Sequence, residues 1–294
     1  MKNKMIFLIL HYITIEDTKK CVASILERYP DEPNIEIVIV DNNSNNNSGK
    51  ELTNIYKDNN RIHIILLDKN LGFANGNNEG FKFAKQKLNA DFIIMINNDT
   101  YLIQNDFCEI IEKEFEQSNF AVLGPRILMN NNQICDYSDK PETIKELRRK
   151  IRNLKLRKIL NEIHLYWFYD LLVWTKKVIT LFGKKKQYTV DTSIRKENIP
   201  LQGAALIFSK NYINLFDGID NRTFLFEEEQ LLYWRIKDNK LISVYNPLLM
   251  IYHNENSSTN ASTNKNMYKK RKLVIENELK SKNILLNDLI SRQK

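Results

Sequence analysis

Residues 92–96, FIIMI, form an unbroken apolar run without Gly or Pro that stops abruptly at Asn97-Asn98-Asp99. A run of this length suits a strand buried on both faces, the kind found in parallel sheets covered by helices on either side. Ligands of such sheets bind beyond the carboxyl ends of the strands, so the polar triplet stands where chemistry is expected. Side chains alternate along a strand, which puts Asn97 and Asp99 on one side and Asn98 on the other. An amide beside a carboxylate can hold a hard cation or a sugar hydroxyl. The same letters also suit a turn, and the stretch alone does not decide between the two.

The rest of the first half repeats the pattern. Strands are expected at residues 6–10, 35–40, 62–67 and 92–96, and helices at about 16–29, 50–57, 78–88 and 107–117. A loop over 68–77 precedes the third helix. Four rounds of strand and helix predict right-handed crossovers and a mainly parallel α/β sheet. Residues 202–209, 243–245 and 248–253 are sheet-like again, and a helix is expected at about 228–238 after a turn-rich segment.

At 294 residues with 43% hydrophobic side chains, the chain can bury a sizeable core. A formal charge of +8 favours acidic partners such as nucleotide phosphates or an anionic membrane surface. Without an arginine-rich arm, an RNP-like motif or zinc-finger spacing, nucleic acid ranks lowest among such partners and is not expected as one. The glycines at 72, 76 and 80 do not spell GxGxxG and do not follow the first strand, and no Walker sequence occurs. Cys21, Cys108 and Cys135 are widely spaced, as reduced cysteines of a cytoplasmic protein would be. The apolar run at 5–10 is too short for a signal-peptide core and lacks a cleavage site, so it reads as the first strand.

The middle of the chain changes character. Residues 140–186 are rich in Lys, Arg and aromatics, with Ile144, Leu147, Ile151 and Leu154 at helical spacing and Trp167 and Trp174 further on. This predicts a helical insertion that either packs on its own domain or lies in a membrane interface as a basic amphipathic element. The tail begins with a Ser/Thr/Asn-rich linker and continues as a basic helix over roughly 265–290, to which the sequence attaches no chemistry.

Polar clusters stand at 41–44, 70–78, 97–99 and 227–229, with His253 as a further contributor. Their order and spacing carry a resemblance. VDNNSNNNS, NLGFANGNNEGFKFA, FIIMINNDT, GPRIL, QGAALIFSK, FDGID with FLFEEEQLLYWRIK, and IYHNENSS together resemble family 2 glycosyltransferases of the GT-A fold, closest to rhamnosyltransferase-like and capsule-type members. Each piece is weak alone, but together they span residues 5 to about 258. The resemblance implies a GT-A domain over 1–258 that includes the basic, aromatic insertion at about 140–190. A linker and basic helix would follow over 259–294.

The resemblance further implies inverting transfer of a sugar from a pyrimidine nucleotide donor to a hydroxyl of a growing surface glycan. The donor would be a UDP- or dTDP-sugar, dTDP-rhamnose among them, and the acceptor would be carried on a polyprenyl diphosphate at the inner membrane face. A divalent cation, Mg²⁺ or Mn²⁺, is implied as cofactor, with Asp99 and His253 as ligands. Asn97 occupies the first DxD position, where an amide removes one charge from the metal site. Asp41 would accept from the pyrimidine N3–H, and His11, Asn43, Ser44, Gly72, Phe73, Asn75, Asn77, Asn98 and Gly203 complete the donor set. Glu229 is expected as general base, with Glu228 positioning acceptor or donor sugar. Glu227 would complement the helix dipole. An acidic residue usual two places beyond the pair is Leu231 here, and Arg235 can approach the phosphates or form a surface salt bridge. A non-catalytic partner subunit and a nucleotidyltransferase are the alternatives. The second lacks its Gly-rich signature after the first strand.

Overall fold

The computed structural model describes residues 2–129, 133–134, 140–182, 191–254 and 266–293. Cys135, residues 183–190 of the expected insertion and most of the polar linker after Asn254 lie outside them.

Strand and helix alternate as the apolar runs require: β1 (Met5–His11), α1 (Ile15–Arg28), β2 (Ile35–Asp41), α2 (Ser48–Tyr56), β3 (Ile62–Leu66), α3 (Gly72–Gln86) and β4 (Phe92–Asn97). Then come β5 (Thr100–Leu102), α4 (Phe107–Ser118), β6 (Val122–Leu128), α5 (Ile144–Glu162) and α6 (Tyr166–Phe182). The chain closes with β7 (Lys196–Glu197), β8 (Ala205–Ser209), α7 (Lys210–Ile213), α8 (Glu228–Asp238), β9 (Ser243–His253) and α9 (Met267–Ser291).

All strands join one sheet in the order β3-β2-β1-β4-β8-β6-β9-β5, with β7 on β9. The first four are parallel. From β8 onward the sheet is mixed, because β8 runs antiparallel to both β4 and β6 while β9 runs parallel to β6. The two segments expected at 243–245 and 248–253 are one strand, and a register shift opposite Pro125/Arg126 absorbs Pro247.

Alternation along β1 divides the core. Met5, Phe7 and Ile9 pack with Cys21, Val22 and Ile25 of α1 and Phe107 and Ile111 of α4. Ile6 and Leu8 pack on the other face with Phe81 and Ala84 of α3 and with Leu232 and Ile236 of α8. Covering both faces takes almost all of β1, β2 and β4 out of water, which is why these strands read as continuous apolar runs. Cys21 and Cys108 are buried free thiols, and burial pushes their pKa up, which keeps them protonated.

The insertion forms two helices. A capping box opens α5, with Thr143 accepting from Glu146 N and the Glu146 carboxylate accepting from Thr143 N. Leu147 on α5 packs with Leu285 and Leu289 on α9 and with Leu231 on α8, so the C-terminal helix rests on the rest of the fold. Leu154, Tyr166 and Ile275 form a second contact of the same kind.

Candidate active site

The carboxyl ends of β2 and β4 and the amino end of α8 bring the polar clusters together. At the end of β4, Asp99 Oδ1 lies 3.1 Å from His253 Nε2 at the end of β9. The Asn97 amide is 3.5 Å from the same imidazole nitrogen. Pairing of β5 with β9 sets Thr100 opposite His253, and Asn254 N donates to Asp99 O, which fixes two side chains 154 residues apart. Asn98 turns the other way and donates to Thr14 Oγ1 and Thr18 Oγ1 of α1, so it anchors the strand end to the scaffold.

This corner supplies one carboxylate, one imidazole and one amide. Among the described residues no cluster of three or more His, Cys, Asp or Glu forms a closed cation cage. The set fits a divalent cation that takes its remaining oxygens from a diphosphate and water, the usual habit of Mg²⁺ in phosphate sites, with the imidazole better suited to Mn²⁺.

At the end of β2, Asp41 packs on the start of α2, where a Cβ at residue 49 would come within 2.3 Å of Oδ2. Ser44 N donates to both Asp41 carboxylate oxygens at 3.3 Å, and Ser44 Oγ accepts from Ile13 N. Asn43 is exposed with φ 57°. His11 is fully buried, with Nδ1 2.7 Å from Thr18 Oγ1 and Nε2 2.7 Å from Ser48 Oγ. Each ring nitrogen is thus paired with a hydroxyl of the scaffold, Thr18 on one side and Ser48 on the other. Burial pushes the His11 pKa down to about 4, against the attraction of Asp41. Both ring nitrogens are spent inside the protein, so His11 supports the Asp41 loop instead of presenting a nitrogen to a donor.

The third expected cluster is arranged differently. Helix α3 begins at Gly72, not at residue 78, so Phe73, Asn75 and Asn77 lie on its first turns. The reason is tertiary: Gly72 takes φ +80°, and a Cβ there would sit 2.4 Å from Phe224 O, which accepts from Phe73 N. Asn75 donates to Asn221 O, and Asn77 is buried and donates to Phe73 O within the helix. Asn78 clasps Ile219 through both its amide atoms. Asn75 and Asn78 fasten the helix to the segment that leads into α8.

That segment delivers the acidic turn. Phe226 and Glu227 both have positive φ, 73° and 69°, and α8 starts at Glu228. Glu228 is buried and accepts from Thr223 Oγ1 at 3.0 Å. Burial, then repulsion from Glu229, pushes the Glu228 pKa up to about 8. Glu229 lies against Gly203 and is the most exposed of the three glutamates. Burial raises its pKa too, opposed by backbone hydrogen bonds at its own helix start and at Gly203, and by the charge of Lys282. Gly203 adjoins Ala204, whose carbonyl accepts from Asn97 N at 3.0 Å, so the acidic turn and the β4 end flank one strand junction.

A model described as "Glycosyl transferase family 2" matches residues 7–172, more than half of the chain. The chain belongs to glycosyl transferase family 2. It is 27% identical over 142 residues to the low-salt glycan biosynthesis hexosyltransferase Agl10 of Haloferax volcanii, covering 48% of this chain and 42% of that protein. To the dTDP-rhamnosyl transferase RfbF of Shigella flexneri it is 31% identical over 94 residues, 32% of this chain and 30% of the relative. The matches therefore span less than half the length of either relative. The fold is similar to S. aureus TarS 1–349, with a TM-score of 0.53 at 12% identity over 89% of this chain and 62% of the other. The same protein in complex with UDP gives 0.54 at 13% identity over 85% and 60%. At these identities the likeness is one of fold, and the fold is the GT-A sheet.

Two further positions differ from what a family 2 sequence suggested. Arg235 is turned inward, donating to Gly218 O and Tyr212 OH and lying 3.5 Å from Asp220. Leu231, standing where many relatives carry an acid, is a core contact to α5 and α9. One charged group was missed altogether. Lys282 of α9 is buried beside Glu227, which it pairs with directly. Its signal was legible as spacing: Lys282 is seven residues from both Ile275 and Leu289, on the apolar stripe of its helix.

Proposed function

We propose that the protein is a metal-assisted inverting glycosyltransferase that moves a sugar from a UDP- or dTDP-linked donor to a hydroxyl of a growing surface glycan. The observation that carries this reading is the strand junction at Asn97 and Ala204, with the Asp99–His253 pair on one side and Glu229 on Gly203 on the other. A leaving-group site and a base are needed on opposite faces of an anomeric carbon, and these two groups are the candidates.

In this reading Asp41 accepts from the pyrimidine N3–H, which excludes purines. Asp99 and His253, with Asn97 beside them, hold a divalent cation that, when bound, offsets the charge developing on the donor diphosphate. Glu229 takes the proton of the acceptor hydroxyl as its oxygen attacks the anomeric carbon. The bond to the diphosphate breaks with its electron pair leaving on the nucleotide, so configuration inverts. Burial, then repulsion from Glu229, favours the protonated form of Glu228 near neutral pH.

The acceptor is proposed to be lipid-linked. Trp167 and Trp174 are each 61% exposed on α6, together with Phe168 and Leu171, and α5 beside them carries Arg148, Arg149, Arg152 and Lys155. Exposed tryptophans next to cations suit the headgroup region of an anionic membrane. No helix among the described residues is long and apolar enough to cross a membrane.

Incubation with UDP- and dTDP-sugars, Mn²⁺ and glycan acceptors, reading nucleotide release, tests the activity. Release is expected with wild type and lost in Asp99→Asn and Glu229→Gln. Full turnover by either variant removes the corresponding assignment. Flotation with anionic liposomes tests the membrane contact, and no binding by the full-length protein would refute it.

A further inference from the structure

The backbone entering α8 is unusual. Phe226 and Glu227 are consecutive residues with side chains and positive φ, and both positions are strained for anything but glycine. Such a turn persists only where its surroundings over-determine it. Here the surroundings come from the C-terminal helix. Ser281 Oγ donates to Leu225 O at 2.6 Å, and the neighbouring Lys282 donates to Glu227 Oε1. One helical turn further on, Leu285 packs with Leu231, and Asp288 accepts from Arg222, which also holds Asp220. Residues 281, 282, 285 and 288 thus take hold of the segment from Asp220 to Leu231 from one face of α9.

Lys282 is 3% exposed, and an ammonium so buried requires compensating charge. Around it stand Glu227, Glu142 with Oε1 at 3.6 Å, and Glu278 at 4.0 Å, while Lys150 also pairs with Glu142. Glu142 is tied to α8 as well, since its backbone N–H donates to Gln230 Oε1. Glu228 and Glu229 complete the set of titratable groups on the turn. The positive charge of Lys282 favours the ionised form of Glu229.

We propose that Ser281 and Lys282 are positioning residues for the transfer reaction, clamping the strained 225–227 turn so that Glu229 is held in place. This rests on the reading of Glu229 as general base. The C-terminal helix, to which the sequence attached no chemistry, then belongs to the catalytic apparatus without touching substrate.

The test compares Lys282→Met, Lys282→Arg and Ser281→Ala with wild type, beside Glu229→Gln as control. In Lys282→Met, turnover is expected to fall about a hundredfold, the scale of loss for a misplaced catalytic group, while UDP affinity stays unchanged. The acid limb of its kcat profile moves to higher pH, because removing a nearby cation raises a carboxylate pKa. Amide hydrogen exchange over residues 224–231 becomes faster, and Lys282→Arg restores most of the turnover and the profile. Wild-type turnover and acid limb in a folded Lys282→Met overturn the proposal, as does a loss of turnover with the acid limb and exchange unmoved. If Lys282→Met does not fold, Ser281→Ala, which strands no charge, decides: faster exchange with lower turnover supports the clamp, and wild-type values of both overturn it. Full activity in Glu229→Gln would fell the base assignment instead, whereas an inactive Glu229→Gln beside a wild-type-like Lys282→Met removes the clamp alone.

Discussion

Glu229 lies so close to Gly203 that a Cβ at residue 203 would approach Oε1 to 2.6 Å and Cδ to 3.1 Å. The contact joins the amino end of α8 to the residue that leads into β8, and it requires that residue 203 have no side chain. Gly203→Ala is therefore expected to displace the carboxylate, which is the far end of a flexible side chain, and to leave the backbone in place. Transfer should fall by at least about tenfold, with UDP affinity and melting temperature close to wild type. Steady-state kinetics beside calorimetric UDP titration checks this.

Glu228 gives stability a pH dependence of definite sign. Its carboxyl is raised from the ordinary value to about 8 in the folded protein, so the folded state holds a proton that the unfolded chain releases. Its contribution is full below the unfolded value and declines as pH rises towards 8, by about 1.4 kcal/mol per pH unit at most. Glu228→Gln, which stays neutral, should flatten that decline. Urea unfolding of both proteins between pH 5 and 9 measures the difference, and parallel curves would contradict the assignment.

His11 acts in the opposite sense. Its pKa is lowered to about 4 by burial, so the unfolded chain takes up a proton that the folded protein refuses. Stability is therefore lost as pH falls from the free-imidazole value near 6.5 towards 4. Proton NMR of the His11 ring should show it neutral at pH 5.5. Titration near 6.5 would overturn the burial argument.

The Asp99–His253 pair predicts how cation binding responds to each partner. With UDP present, Asp99→Asn should weaken Mn²⁺ binding by more than the roughly 10–100-fold that outer-shell partners cost, because it removes the one carboxylate in the set. His253→Ala should weaken Mn²⁺ more than Mg²⁺, since imidazole suits the softer ion better. Electron paramagnetic resonance of free Mn²⁺, alone and in competition with Mg²⁺, gives both numbers. Equal effects on the two metals would remove His253 from the ligand set.

The first half of the fold was readable because buried parallel strands must be continuously apolar, and β1 to β4 are. Residues 243–253 were harder. Pro247 splits the apolar pattern, and only the bulge against β6 shows that one strand runs through it. The start of α3 was misread by six residues because its asparagines resemble a loop, while their partners, Ile219 and Asn221, lie about 140 residues away.

By itself the sequence determined the strand–helix order, the family and the polar clusters at the strand ends, since these depend on local apolar spacing and on motifs in a fixed order. Tertiary structure decided what each polar group does. His11 pairs both ring nitrogens with Thr18 and Ser48, and Asn98 spends its amide nitrogen on Thr14 and Thr18, so both tie strand ends to the scaffold. Glu228 and Glu229, neighbours with the same side chain, were separated by environment, one buried against Thr223 and the other set on Gly203. The counter-charge to their turn comes from Lys282, 55 residues from Glu227. The spacing of Lys282 from Ile275 and Leu289 places it on the buried stripe of α9, but its partner is set through space and not along the chain.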